Sequence, residues 1–439
     1  ADPRGGRLHV LPCRLHPHAG PAAAVPKWSA IANTPMVGID SYLFQGVALG
    51  SGGGTLVGAS SVTASGRVPA VLERPARGAP WTGPATLAAP SRFDLGPLVA
   101  RNARGDGLAV WGAVGDPLIA SVRVAGAGWS APRPVGAKLR ALVNGRSADT
   151  VKVALSTSGV ARVVVADCAG NRCLLTEHKT AVRRLRWTAG KPRRLPSAAT
   201  PTLQWELSSA GHLIAAWIRP APRAIQAIVQ RVQDPTPARP HVVAGTAGAT
   251  GAIDVEVGDR GEVGVGWTDS FGSLQTNVRL PSDQRWRAAR GHIRAAGATG
   301  TRIALACDGS VVATWVEPTD KVRATTAAGP GGPFATPSEI GIYGDVTKPV
   351  SVAAAIAGTS GVVTWTRTAQ ESAGMSIARL GDPDDAFRGA NPDFGFREAP
   401  APTFGADGFG IVVGTANDVL RVQEIEPDPE RLQCARRGT

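Results

Sequence analysis

Short runs in which apolar and polar residues alternate, broken every few residues by glycine, recur along the whole chain. In "GLAVWGAVGDPLIASVRVAGAGWSAP", Gly107 to Pro132, two such runs flank a short polar turn, and a Trp-Ser-Ala-Pro close follows. Alternation of period two marks strands with one buried face. Looser copies of the phrase lie before and after it. Eight glycines register the copies: Gly54, Gly107, Gly159, Gly211, Gly261, Gly309, Gly361 and Gly408, at gaps of 53, 52, 52, 50, 48, 52 and 47 residues. Where Asp-Gly separates two strand-like runs, as in "RGDGLAVW", "ACDGSVVATW" and "GADGFGIVV", the pattern predicts a two-residue hairpin turn with positive φ.

Five tryptophans, Trp111, Trp217, Trp267, Trp315 and Trp365, follow their glycine at an offset of four or six, which keeps them on one face of a strand. A ring recurring once per unit is most simply the packing between neighbouring sheets. A second aromatic arrives further on in most copies: Trp81, Trp129, Trp187, Trp286, Phe334 and Phe387. Each copy therefore offers four short strands, and a period near 50 falls in the range of propeller blades. The predicted fold is all-β, an eight-bladed β-propeller of four-stranded antiparallel blades; a seven-bladed ring with a cap unit is the alternative. Residues 1–439 read as one domain. The segment 1–40, with "PKWSAIANTP", reads as an orphan strand that closes the last blade, 399–425, and so removes an exposed sheet edge.

Composition agrees with short strands and turns: 54 Gly, 35 Pro and only two Met and two Tyr in 439 residues. No run approaches the roughly 18 apolar residues of a membrane helix. The net charge of +13 favours polyanions in general. No helix or aromatic-interleaved motif of a nucleic-acid reader accompanies it, so no specific nucleic acid is expected. The opening "ADP" and closing "GT" read as remnants of a secretion vector, and the expected location is secreted or on the outer cell surface. No Asn carries a hydroxyl residue two positions on, which suits a high-GC bacterial source. Cys168 and Cys173 flank a four-residue polar turn and are expected to form a disulfide. Cys13 and Cys434, near opposite ends, form a candidate second pair, and Cys307 reads as a buried free thiol. No CxxC or His-rich segment points to a metal, and no cofactor is expected.

The connections between second and third strands differ from copy to copy, and variable loops on a rigid scaffold are where binding tends to reside. They place Asp116, Arg219, Asp269, Glu317, Asp320, Arg367, Glu371 and Asp418 on one rim. With Phe271, an aromatic at a polar loop tip, the candidate ligand-binding set is Arg219, Asp269, Phe271, Glu317, Arg367 and Glu371. The plain alternative is charged residues in solvated loops. A separate basic stretch, "HKTAVRRLRWTAGKPRRL", gathers Lys179, Arg183, Arg184, Arg186, Lys191, Arg193 and Arg194 around Trp187. It offers either a contact for an anionic polymer or protection of a sheet edge.

The repeat resembles those of secreted bacterial propellers in the broad sialidase-like and fucose-lectin-like groups, whose blades also end in a Trp-rich strand. The sialidase Asp-box, the docking pattern of quinone-dependent dehydrogenases, the Trp-Asp endings of WD40 blades and the Gly-Gly of kelch are absent. The resemblance therefore assigns no catalytic residue, and no nucleophile elbow or zinc helix stands elsewhere. The expected function is non-enzymatic extracellular recognition or adhesion, binding a protein or glycan through the loop-rich face. The alternative is a glycan-active hydrolase or lyase with carboxylates in the central pocket.

Overall fold

The computed structural model describes residues 32–34, 42–140, 150–169, 172–195, 202–220, 223–232, 239–244, 253–289, 293–295, 297–319, 321–341, 350–357, 360–367, 372–379, 388–390, 402–404, 410–416 and 419–425. β1 (Ala32–Thr34) stands before the first sheet. Sheet 1 holds β2 (Tyr42–Leu49), β3 (Thr55–Thr63), β4 (Gly66–Arg74) and β5 (Thr82–Thr86). Sheet 2 holds β6 (Leu95–Arg101), β7 (Gly107–Gly112), β8 (Pro117–Arg123) and β9 (Arg133–Lys138). Sheet 3 holds β10 (Val151–Leu155), β11 (Val160–Ala169), β12 (Arg172–Ala181), β13 (Thr188–Ala189) and β14 (Arg193–Leu195). Sheet 4 holds β15 (Gln204–Leu207), β16 (Leu213–Pro220), β17 (Arg223–Gln230) and β18 (His241–Ala244). Sheet 5 holds β19 (Asp254–Val257), β20 (Val263–Thr268), β21 (Ser273–Arg279), β22 (Arg287–Ala288) and β23 (Ile293–Arg294). Sheet 6 holds β24 (Thr299–Leu305), β25 (Val311–Val316), β26 (Val322–Ala327) and β27 (Ser338–Gly341). Sheet 7 holds β28 (Val350–Ala357), β29 (Ser360–Arg367), β30 (Ser372–Arg379) and β31 (Arg388–Ala390). Sheet 8 holds β32 (Pro402–Phe404), β33 (Gly410–Ala416) and β34 (Val419–Ile425), with β1 on its outer edge.

Among the described residues, then, six sheets have four strands and two have five. All pairings are antiparallel, and strands lie side by side in chain order except for β1. The first strand of each sheet touches the first strand of the next: β2 with β6, β6 with β10, β10 with β15, β15 with β19, β19 with β24, β24 with β28, β28 with β32, and β32 with β2 again. This circuit places the first strands around a common axis, with the later strands radiating outward.

Apolar seams hold the circuit. The second-strand tryptophans sit in them as the one-face spacing requires: Trp111 between sheets 1 and 2, Trp217 between 3 and 4, Trp267 between 4 and 5, and Trp315 between 5 and 6. All four are buried, while the side chain of Trp365 lies outside the described residues. Three of the outer aromatics, half-buried against such seams, also lie beside a third-strand arginine: Trp81 with Arg74 at 5.3 Å, Trp129 with Arg123 at 5.9 Å and Trp286 with Arg279 at 5.5 Å. They cover the guanidinium from outside, a cation–π arrangement in which the long side chain stays packed.

The hairpin turns differ from the two-residue expectation. In sheets 2 to 6 the amide of a residue such as Ser156 bonds Val160 O, and Gly159 N bonds back to Ser156 O, which closes a three-residue loop ending in glycine. Gly105, Gly159, Gly211, Gly261 and Gly309 fill that last position with φ between 80° and 94°. This is a type I turn followed by a left-handed residue. In "RGDGLAVW" the turn glycine is thus Gly105, and Gly107 opens β7. Gly361 likewise lies within β29, paired with Ile356, and is not a turn residue. Gly408 lies outside the described residues.

Two sheets depart from four strands because the outer strand is broken. In sheet 3 both β13 and β14 pair with β12, and in sheet 5 both β22 and β23 pair with β21. Cys168 and Cys173 are directly opposed across β11 and β12 and are bonded. Cys307 carries no disulfide and is half-buried rather than fully buried; Cys13 and Cys434 lie outside the described residues.

Candidate functional site

The strand directions divide the molecule into two faces. The three-residue turns and the ends of the third strands lie on one; the second-to-third-strand connections and the starts of the first strands lie on the other. On the loop-rich face the candidate residues have separate tasks. Asp269 Oδ1 accepts the amides of Phe271 and Ser273, each at 2.9 Å, and Oδ2 accepts Gln275 Nε2 at 3.0 Å. Asp269 is thus the pin of its own loop, the usual work of Asp at a turn. Gly272, at φ 73°, completes that loop. Phe271 at its tip is 85% exposed. Glu317 pairs with Arg323 Nε at 3.2 Å, inside a network that also joins Arg323 and Lys321 to Glu339. Arg219 belongs to β16 rather than to a loop, because the strand continues to Pro220, and it is half-buried opposite Ala224. Arg367 ends β29 and its side chain lies outside the described residues, as do Glu371, Asp320 and Asp418.

Near the axis the first strands gather charges that the loop pattern did not reveal. Lys152 of β10 pairs with Glu206 of β15 at 2.7 Å, and Arg302 of β24 lies 3.9 Å from Asp254 of β19. Asp254 Oδ2 also accepts the Ile303 amide at 2.7 Å. Burial pushes the Asp254 carboxyl up to about 6, with Arg302 and the Ile303 amide opposing and Glu206 adding to it. Burial together with the neighbouring Glu206 and Asp254 carboxylates holds Glu256 well above the ordinary range. Their signal was available: "QWEL" and "DVEV" alternate polar and buried residues in first strands, with Trp205, Leu207, Val255 and Val257 in the seams. The Lys152–Glu206 pair thus ties sheet 3 to sheet 4 and the Arg302–Asp254 pair ties sheet 5 to sheet 6, while the carboxylates of sheets 4 and 5 repel one another.

A raised carboxyl makes the folded state bind its proton more tightly than the unfolded chain does, so stability falls as pH rises from about 4 to about 6. Asp254→Asn removes that penalty while its carbonyl still accepts the Ile303 amide. The variant's melting midpoint should therefore gain on the parent's between pH 4 and 7.5, by the equivalent of about 2 kcal/mol. A difference that stays constant across this range, or reverses, contradicts the assignment.

The described residues also form a pocket of about 210 Å³ on the turn face, at the seam of sheets 3 and 4. It is lined by Arg162, Glu177, Lys179, Arg193, Gln230 and Arg231 over Val164, Leu175, Leu207 and Leu213. Two members of the predicted basic stretch, Lys179 and Arg193, face into it; Arg183, Arg184, Arg186, Lys191 and Arg194 are exposed elsewhere. Among the described residues, no group of His, Cys, Asp and Glu is arranged to hold a metal ion.

No protein-family model matches this chain, and no curated protein does. Solved structures do. The WD40 domain of SCAP from fission yeast aligns over 91% of this chain and 98% of its own, at 8% identity and a TM-score of 0.53. The chain is a β-propeller. The BP39L lectin from Burkholderia pseudomallei covers 78% of this propeller with all of its own length, at 15% identity and a TM-score of 0.45. The polysaccharide lyase Uly1 covers 90% with 91% of its own length, at 10% identity and a TM-score of 0.44. At such identities the likeness concerns the fold. The bonded Cys168–Cys173 pair suits an oxidising compartment, and no helix among the described residues is long and apolar enough to cross a membrane.

Proposed function

We propose that residues 1–439 form a single eight-bladed recognition propeller, acting outside the cell, that binds a glycan on its loop-rich face, with Phe271 as the platform for a sugar ring. The observation that carries this reading is the 85% exposure of Phe271 on a loop fixed by three bonds to Asp269. An aromatic held rigidly in water gives up little conformational freedom on contact, so most of the burial energy reaches the ligand. Among the described residues the other exposed large hydrophobics are Val114, after β7, Val232, after β17 at the rim of the seam pocket, and Val242 in β18. A protein interface is built round a contiguous apolar centre, whereas one ring among polar neighbours suits the C–H face of a sugar.

Covering a phenyl ring is worth about 1.5–3 kcal/mol. Phe271→Ala should therefore weaken binding to the best glycan on a carbohydrate array by roughly tenfold or more, with the melting midpoint unchanged, since the ring packs on nothing that holds the loop. Undiminished binding by the variant contradicts the assignment. Asp269 is unsuitable for this test because its removal also loosens the loop.

A further inference from the structure

The pocket at the seam of sheets 3 and 4 lies on the opposite face from Phe271 and has a different character. Its floor is apolar, because Val164 and Leu175 from sheet 3 and Leu207 and Leu213 from sheet 4 belong to the seam that contains Trp217. Its wall is cationic: Arg162, Lys179, Arg193 and Arg231 face one carboxylate, Glu177. Glu177 is committed to Arg162, whose Nε lies 3.1 Å from Oε1 and whose Nη1 lies 3.5 Å from Ala210 O. Arg231 is steadied by backbone carbonyls, Gly261 O and Leu280 O, both at 3.4 Å. Among the described residues neither Lys179 nor Arg193 has an ion pair or a side-chain hydrogen bond. Burial lowers the Arg193 guanidinium below its ordinary value, with Glu177 opposing; guanidinium remains charged at neutral pH regardless.

We propose that this pocket binds a small oxyanion carried on a sugar ring, either the carboxylate of a uronic acid or a sulfate ester. Arg162, the exposed Lys179 and the half-buried Arg193 around one engaged carboxylate leave an excess of positive charge at the pocket, and where the site is partly desolvated the attraction to an anion is stronger than on an open surface. Arginine provides paired donors that match a planar carboxylate or a sulfate, and Lys179 adds a mobile third cation. The leucine and valine floor accepts the C–H face of the ring. About 210 Å³ is below the roughly 300 Å³ of a drug-sized site, so the pocket takes one ring and not a chain segment.

The test is a titration at low ionic strength with sodium sulfate, methyl glucuronide and neutral methyl glucoside, followed by calorimetry or by NMR shifts. The glucuronide or sulfate is expected to bind and the glucoside to bind at least tenfold more weakly. The double variant Lys179→Gln, Arg193→Gln should lose tenfold or more in affinity with its melting midpoint kept. Glu177→Gln should tighten anion binding about threefold, since it removes the opposing charge while its carbonyl still accepts from Arg162; a misfolded variant cannot produce this gain. Neutralising Arg183, Arg184 and Arg194 together should change little. The proposal is overturned if neither the glucuronide nor sulfate binds more tightly than the glucoside, if the double variant keeps its affinity, if Glu177→Gln weakens anion binding, or if the loss follows the exposed arginines. Because Phe271 lies on the other face, Phe271→Ala should leave these titrations unaltered, so the two sites stand or fall separately.

Discussion

A chain lacking residues 1–35 should melt several degrees below the full chain and aggregate on heating. β1 pairs antiparallel with β34, placing Ala32 opposite Val422, Asn33 opposite Arg421 and Thr34 opposite Leu420. It is the outermost strand of sheet 8, so its loss leaves β34 as a bare edge with unpaired amide and carbonyl groups. Each hydrogen bond removed costs about 1 kcal/mol. The larger effect is topological: the strand that completes the last sheet comes from the start of the chain, and this pairing ties the two ends of the circuit together. Differential scanning fluorimetry with light scattering reads both outcomes. Removing residues 1–25 instead, which spares β1, should change neither. An unaltered midpoint for the longer deletion would show that the circuit holds without this strand.

What the sequence displayed well was the part of the fold that is local. Glycine spacing, period-two alternation and the Trp offsets each arise within one repeat, and they correctly indicated four-strand units with tryptophans in the seams. The two-residue turn was misjudged because Asp106-Gly107 looks like a turn dipeptide, yet Asn102 organises the loop: its Oδ1 accepts the amides of Arg104 and Asp106 at 3.0 Å each, and the left-handed residue becomes Gly105. The broken outer strands of sheets 3 and 5 are two- and three-residue pieces, too short for any alternation to register. The seam pocket was hidden for a different reason. Arg162 and Arg231 belong to different repeats, and only the packing of sheet 3 on sheet 4 brings them together; Lys179 and Arg193 were visible as charge but not as lining. Of the loop residues, Phe271 emerged with the exposure its setting implied, while Asp269 and Glu317 proved to be engaged within the scaffold, as charged side chains between strands commonly are.

The same repeat-to-repeat logic gives the strongest single-residue effect. Glu73 of β4 receives Arg101 Nη1 of β6 at 3.0 Å on one carboxylate oxygen and Arg123 of β8 on the other, tying sheet 1 to sheet 2. The side chains are only 14%, 6% and 11% exposed, respectively. Arg101 also donates to Pro75 O at 3.2 Å and Arg123 to Gly105 O at 3.1 Å, so the guanidiniums are anchored where they are and cannot swing freely into water. Glu73→Ala leaves two cations side by side without their shared counter-charge, and breaking a buried pair from one side costs about 3–5 kcal/mol. The expected result is a fall in the melting midpoint of roughly 3–5 °C for a cooperative unit of this length, partly masked in high salt, where an anion from solution can enter the gap. Glu73→Gln should fall less, because the amide carbonyl still accepts one arginine. The decisive comparison adds Arg101→Met and Arg123→Met to Glu73→Ala: if unpaired charge is the cause, the triple variant recovers part of the lost stability. A triple variant less stable than Glu73→Ala would place the contribution in the packing of the arginine stems, with Arg123 against Trp129 as its main part.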